Sequence, residues 1–264
     1  KAVGLNDEGY ATVSTTNWLP YSWSINNVAF AEVMHTALAY FQAGRGDAGF
    51  NLLKSSILDG MYLGGSPGNF GQVSFYDAAR GECYRDFGDP IGVASRVFVQ
   101  GLYGILPDAL NGKLVVSPRF PEAWPFAELK TPDIHFTYKE QGDEDHYTIH
   151  QTFDTPLALE LRVRARNSKI AQVTVDGIPI KWELSDAVVG YPLLSIQAPA
   201  AARSEICIAW SGEALSAANI PQNRVYKPSD TAETQFTQTV LDVYDPQQLL
   251  DTPTVQAVEG GYRV

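Results

Sequence analysis

Cysteine is scarce in this chain of 264 residues, with only Cys83 and Cys207 present. Cys83 stands in an acidic and aromatic stretch, and Cys207 in the apolar alternation Ile206-Cys207-Ile208, so two free thiols are expected rather than a bridge. No run of about 18 apolar residues occurs, so no segment reads as a membrane span. Positive charge is in deficit. Nineteen Lys and Arg against 30 Asp and Glu leave a net charge of −11, which argues against nucleic acid or an anionic membrane surface as partner. There is no Gly-x-Ser-x-Gly elbow and no Cys/His pairing in a nucleophile context, so nucleophilic Ser or Cys hydrolysis is not supported. The glycine-rich run Leu63 to Gly71 has no Lys-Ser/Thr after it and no strand before it. It reads as a loop over a pocket and not as a phosphate cradle. The first residue is Lys1, without a Met or a signal-peptide pattern, and the chain is expected to be a segment cut from a longer protein.

What the chain does have is an ordinary apolar content of 45% and a high aromatic share of 11%. Its length suits one large domain or two ordinary ones. Residues 1 to 23 read as loop and turn, with Trp18, Tyr21 and Trp23 crowded ahead of a helix. Ser24 is a plausible cap for a helix from Ile25 to Ala43, whose apolar positions Val28, Ala29, Val33, Met34, Ala37, Leu38, Tyr40 and Phe41 cover half its circumference. Glu32, His35 and Thr36 form its polar stripe, and Gly44 ends it. Asp47 caps a second helix carrying Phe50, Leu53, Ile57, Leu58 and Met61, and the short connection forces an antiparallel hairpin. Asp89-Pro90 starts a third helix that is apolar on nearly every side from Ile91 to Ile105, which predicts burial on every side. Three helices cannot supply that burial, so a partner segment is expected.

After Leu106-Pro107-Asp108 the period changes from 3.6 to 2. Strands are expected at Lys113 to Val116, Ile134 to Lys139, His146 to Phe153, Leu157 to Arg166, Ala171 to Ile180, Leu193 to Gln197 and Glu205 to Trp210, with tight turns at Gly142-Asp143 and Asp176-Gly177. Seven short strands at hairpin spacing predict an antiparallel sandwich, with Leu159, Leu161, Val163, Val173, Val175, Ile206 and Ile208 inside. The expected organisation is a helical part over residues 1–110, a sandwich over 111–212, and a linker or tail over 213–264 rich in Ala, Ser, Thr, Gln and Pro. No chemistry is expected of the sandwich itself. Trp182 and Trp210 read as core or inter-domain contacts. His146 and His150 share a strand face that alternation places on the solvated side, so no metal is expected there.

The chemistry concentrates between Asn69 and Ile105. Asp77, Arg80, Glu82, Arg85, Asp86 and Asp89 are interleaved there with Phe75, Tyr76, Tyr84 and Phe87. Mixed carboxylates, guanidiniums and rings suit a carbohydrate site: sugars stack on rings, hydroxyls bond charged groups, and glycosidic cleavage needs two carboxyl groups. A buried ion-pair network pinning the loop to the third helix accounts for the same residues.

Several motifs together resemble one family. They are Tyr21-Ser-Trp-Ser-Ile-Asn-Asn, Tyr40-Phe-Gln-Ala-Gly-Arg45, Ser66-Pro67-Gly68-Asn69, Tyr76-Asp77-Ala78-Ala79-Arg80-Gly81-Glu82, Tyr84-Arg85-Asp86-Phe87, Gly101-Leu-Tyr-Gly-Ile-Leu-Pro-Asp108, Ser117-Pro118-Arg119-Phe120-Pro121 and Trp124. This set resembles the end of the catalytic barrel in the six-hairpin (α/α)6 glycosidase superfamily, including the α-L-rhamnosidase-like enzymes, and within it a member family of bacterial polysaccharide-degrading systems. The resemblance implies an α+β multidomain fragment: the last helical hairpins of an (α/α)6 barrel, followed by an antiparallel β-sandwich. It implies an upstream barrel segment of the same protein as partner, and a periplasmic or secreted bacterial location. The implied activity is glycoside hydrolysis, with inversion, on a polysaccharide or oligosaccharide, without metal or cofactor. Asp77, following the aromatic Tyr76, corresponds to the general base; Glu82 is an equal candidate and Asp86 stands behind them. Arg80 and Arg85 would orient carboxylates or bond hydroxyls, while Trp23, Tyr76 and Tyr84 would supply stacking faces. The alternative is a non-catalytic carbohydrate-binding protein on a degenerate barrel.

Overall fold

The computed structural model describes residues 11–15, 27–63, 75–77, 82–84, 88–185 and 191–215. The chain enters through a short strand, β1 (Val28–Ala29), and turns into α1 (Phe30–Gln42). Val33, Met34, Ala37, Leu38 and Phe41 of the expected apolar stripe are buried in α1, Phe30 joins them and Tyr40 is half-buried, while Glu32 and His35 face out. Gly44, at a φ of 76°, turns the chain back into α2 (Gly46–Ile57). After the short strands β2 (Phe75–Asp77) and β3 (Glu82–Tyr84) comes α3 (Asp89–Arg96), capped by Gly88 with Pro90 in its first turn. The helix continues as a wider π-type turn to Leu102.

Among the described residues eleven strands follow: β4 (Ile105–Asp108), β5 (Lys113–Val116), β6 (Phe126–Lys130), β7 (Ile134–Gln141), β8 (Glu144–Gln151), β9 (Ala158–Arg164), β10 (Asn167–Val175), β11 (Ile178–Pro179), β12 (Trp182–Ser185), β13 (Leu193–Ala198) and β14 (Arg203–Ala214). They form a six-stranded sheet, β11-β10-β14-β8-β7-β6, and a five-stranded sheet, β12-β13-β9-β5-β4. Pairing is antiparallel throughout except between β5 and β9, which run parallel. All seven residues expected inside the sandwich are buried. Both expected tight turns form, with positive φ at Gly142, Asp176 and Gly177.

The helical expectation is corrected. The described residues are mainly β and hold three short α-helices, so they do not show the helical hairpins of an (α/α)6 barrel. Part of the reason is local. Val28 and Ala29, read as the start of a helix, pair instead with Tyr76 and Phe75, and this shortens α1. The stretch expected to lead into the third helix folds back as the β2–β3 hairpin, and Ile105–Asp108 leaves the helix as a sheet strand. The third helix is also not buried on every side: among the described residues Ile91 remains 49% and Phe98 37% exposed.

Two glycines set the helices against the sandwich. A Cβ on Gly104, whose φ is +64°, would stand 1.9 Å from the Ser117 carbonyl oxygen. A Cβ on Gly46, at the start of α2, would stand 2.5 Å from the Arg119 carbonyl oxygen and 2.8 Å from that of Phe120.

Candidate functional site

The stretch read as a loop ahead of the third helix contains a hairpin. β2 and β3 pair so that Phe75 opposes Tyr84, Tyr76 opposes Cys83 and Asp77 opposes Glu82. Tyr76 is also the register partner of Val28, which ties the hairpin to the entry of α1. Trp23, Arg80, Arg85 and Asp86 lie outside the described residues. The sequence-predicted acids Asp77 and Glu82 are therefore brought to one rung of one ladder.

A second concentration of charge and rings lies near the other end of α1, a helix about 20 Å long at 1.5 Å per residue. There a cleft of about 630 Å³ opens between the end of α1 with its following turn (residues 36–46) and the sandwich. Its wall carries a ladder of rings. Trp124 stacks on Phe120 (centroids 5.8 Å apart), Phe120 on Tyr138 (5.7 Å) and Tyr138 on Tyr147 (4.9 Å), all within 26° of parallel. Phe50 from α2 meets Trp124 edge-on at 4.8 Å, so the helical hairpin closes one end of the ladder.

Asp145 lines this cleft at an inward position of β8 and is 3% exposed. Its Oδ2 accepts a hydrogen bond from Trp210 Nε1 at 2.8 Å, while Oδ1 has no hydrogen bond among the described residues and stands 3.7 Å from Arg166 Nη2. Arg166 pairs through Nη1 with Glu140 and donates from Nη2 to the Gly142 carbonyl at 2.8 Å. Burial raises the Asp145 pKa against the opposing pull of the Trp210 bond and of Arg166. Burial first, and the Asp145 charge second, push the Tyr138 and Tyr147 hydroxyls well above the usual phenol range, so both stay neutral donors.

Across the cleft, Glu122 Oε1 accepts from Arg164 Nη1 and from the Tyr191 hydroxyl, each at 2.8 Å. The Arg164 guanidinium lies 4.2 Å over the Tyr191 ring. Burial, then the bond to Glu122, pushes the Tyr191 pKa up to about 12. Arg119 completes the wall. It is half-buried, and among the described residues its guanidinium has no carboxylate or carbonyl partner. Desolvation holds its pKa below the ordinary value, and the nearby Arg162 and Arg164 charges add to the effect.

Among the described residues, one group has donors of metal-ligand type together: Glu144, His146 and Cys207, whose ligand atoms lie within 4.8 Å of one another on the outer face of β8 and β14. Burial and then Glu144 raise the Cys207 thiol pKa. His150 does not join the group.

Sequence reasoning missed the cleft. Its readable signal was Asp145: extending the β8 alternation one residue back from His146 puts a carboxylate on the same inward face as Tyr147 and Ile149.

No family model and no curated protein matches this chain. Similar solved structures include an α-L-rhamnosidase from Dictyoglumus thermophilum, at 9% identity and a TM-score of 0.45 over 69% of this chain and 21% of that one. A GH127 β-L-arabinofuranosidase from Geobacillus stearothermophilus T6 gives 11% and 0.30 over 75% and 35%. A glycoside hydrolase family 30 subfamily 8 xylanase from Clostridium acetobutylicum gives 10% and 0.22 over 74% and 42%. These neighbours are glycoside hydrolases. The chain spans less than half the length of each of them.

Proposed function

We propose that this protein acts on carbohydrate as a glycoside hydrolase that inverts the anomeric centre of a polysaccharide or oligosaccharide. The observation that carries the reading is the β2–β3 register, which sets Asp77 opposite Glu82 on the last rung of a ladder that also holds Tyr76 and Tyr84. Like charges opposed on a ladder cost stability, so such a pair is better explained by chemistry than by support of the hairpin. In this reading Asp77, or equally Glu82, is the base that activates water, with Asp86 behind them. An inverting pair stands about 6.5–9.5 Å apart to admit that water, and in this reading the acid comes from another part of the protein. Arg80 and Arg85 hold carboxylates or hydroxyls, and Trp23, Tyr76 and Tyr84 stack the sugar. A periplasmic or secreted location goes with this reading through the family resemblance.

The test is turnover of oligosaccharides by the protein in its longest form, carrying Asp77→Asn, Glu82→Gln or Asp86→Asn. At least one variant should lose about 10²- to 10⁴-fold in kcat while its circular dichroism is unchanged. Proton NMR of the first product should show the inverted anomer. Full turnover in all three variants ends the hydrolase reading.

The cleft favours a second reading, a non-catalytic glycan-binding protein, because its polar groups converge on a formed hollow of ligand size. Calorimetric binding of sugar without any turnover supports it.

A further inference from the structure

We propose that the cleft between the α1–α2 turn and the sandwich binds a carboxylate-bearing sugar, with the Arg119 guanidinium meeting the carboxylate. The carboxylate part stands on the geometry; the sugar part rests on the carbohydrate reading above.

Among the described residues two cations of the cleft have no carboxylate partner, the exposed Arg45 and the half-buried Arg119. Arg164 is committed to Glu122 and to the Tyr191 face, and Arg166 to Glu140 and the Gly142 carbonyl. Asp145 is committed to Trp210. Arg119 is left over inside the wall, unpartnered among the described residues and repelled by Arg162 and Arg164. A half-buried guanidinium with two cationic neighbours is costly, and a planar anion with two acceptor oxygens relieves it through a bidentate contact. The lining holds Arg45, Arg119, Arg164 and Arg166 against Glu122, Glu140 and Asp145, four cations to three acids, in a chain whose net charge is −11. The cleft is thus a local exception to the sign of the whole molecule, which draws an anionic ligand to this spot.

The rings point the same way. In the ladder Trp124–Phe120–Tyr138–Tyr147 the faces are spent on one another, and the Tyr191 face is covered by Arg164. Among the described residues Tyr40 also lines the cleft with no ring against it, and a ring face stacks neutral and acidic sugars alike, so charge has to supply the selectivity. The neutral Tyr138 and Tyr147 hydroxyls remain to bond sugar hydroxyls. The volume of about 630 Å³ lies within the range of small-ligand pockets.

Isothermal titration with the protein tests this, using a galacturonic acid disaccharide, its neutral galactose counterpart and glutarate. The uronate should bind at least about tenfold tighter than the neutral sugar, Arg119→Gln should weaken it about 10- to 100-fold, and Arg119→Lys should restore part of the loss. Near-UV circular dichroism shows that the variants are folded, and Arg119→Lys keeps the test valid should the Gln variant misfold. Uronate binding that is equal to the neutral sugar, or unchanged in Arg119→Gln, overturns the anion site and leaves the carbohydrate reading standing. Glutarate bound as tightly as the uronate, with the same dependence on Arg119, overturns the sugar part and counts against the carbohydrate reading.

Discussion

Asp145 is the residue at which the alternation of β8 and the chemistry of burial conflict. It occupies an inward position between the strands of a packed sheet, held by one hydrogen bond from Trp210 and a long approach to Arg166. Its pKa is raised above the ordinary 3.8, chiefly by burial. The folded protein therefore holds this proton more tightly than the unfolded chain does. Asp145's contribution to stability is fully present below the unfolded value and is lost as pH rises through the raised one. Asn at this position keeps an acceptor for Trp210 and cannot ionise. The stability difference between Asp145→Asn and the parent should move in favour of the variant as pH rises from about 3.5 through the raised pKa, then level off. Urea melts at about pH 3.5, 5 and 7 check this, and a difference that does not change with pH refutes it. The companion variant Trp210→Phe removes the one side-chain hydrogen bond that Asp145 makes among the described residues, and should cost about 1–3 kcal/mol in the same melts.

At the scale of elements, the joint between helix and sandwich turns on Gly104. The Ser117 amide donates to the Gly104 carbonyl at 2.9 Å while the backbone there is left-handed, and the Ser117 carbonyl fills the place of a Cβ. Gly104→Ala must both adopt an unfavourable φ and displace backbone, so its cost should exceed the roughly 1–2 kcal/mol of the left-handed conformation alone. A thermal melt within about 2 °C of the parent refutes that. The strands around this joint were legible because one face of each is buried: the period of 2 in Leu159-Glu160-Leu161-Arg162-Val163 admits one register. The helical part was less legible. Val28 and Ala29 have a helix-compatible pattern in sequence, and only their pairing with Phe75 and Tyr76, some 47 residues away, makes them a strand. Local pattern carries no information about such a distant partner. β4 was missed for the same reason, since Ile105 looks like one more apolar turn of helix until Val116 pairs with it. The hairpin site was readable as a density of acids and rings. The cleft was not, because its wall is assembled from Arg119, Asp145, Arg164 and Tyr191, residues that meet only after the two sheets stack.

For the molecule as a whole, the helices and both sheets share one apolar cluster. It runs from Phe30, Met34 and Phe41 on α1, through Leu102, Tyr103 and Ile105, to Phe136, Ile149, Leu161, Ile196 and Ile208 in the sandwich. Tyr103 is the hinge of this continuity: it meets Phe98, Phe120 and Phe136 at 5.1–5.7 Å, and its hydroxyl donates to the Glu128 carbonyl at 2.7 Å. Its ring contacts therefore join the end of the third helix to β7 and to the wall of the cleft. The change of period near residue 110 marks where helices give way to strands, and unfolding shows whether it also divides the molecule energetically. A core without a gap predicts that helix and sheet lose structure together. Far-UV circular dichroism at 222 nm, which weights the helices, and near-UV signal from the ring ladder should give the same urea midpoint in the parent. Tyr103→Ala should cost about 3–5 kcal/mol by removing a buried ring from the junction, and should separate the two midpoints. Two midpoints already apart in the parent would mean that the helices and the sandwich fold independently, with the cleft between them formed by docking.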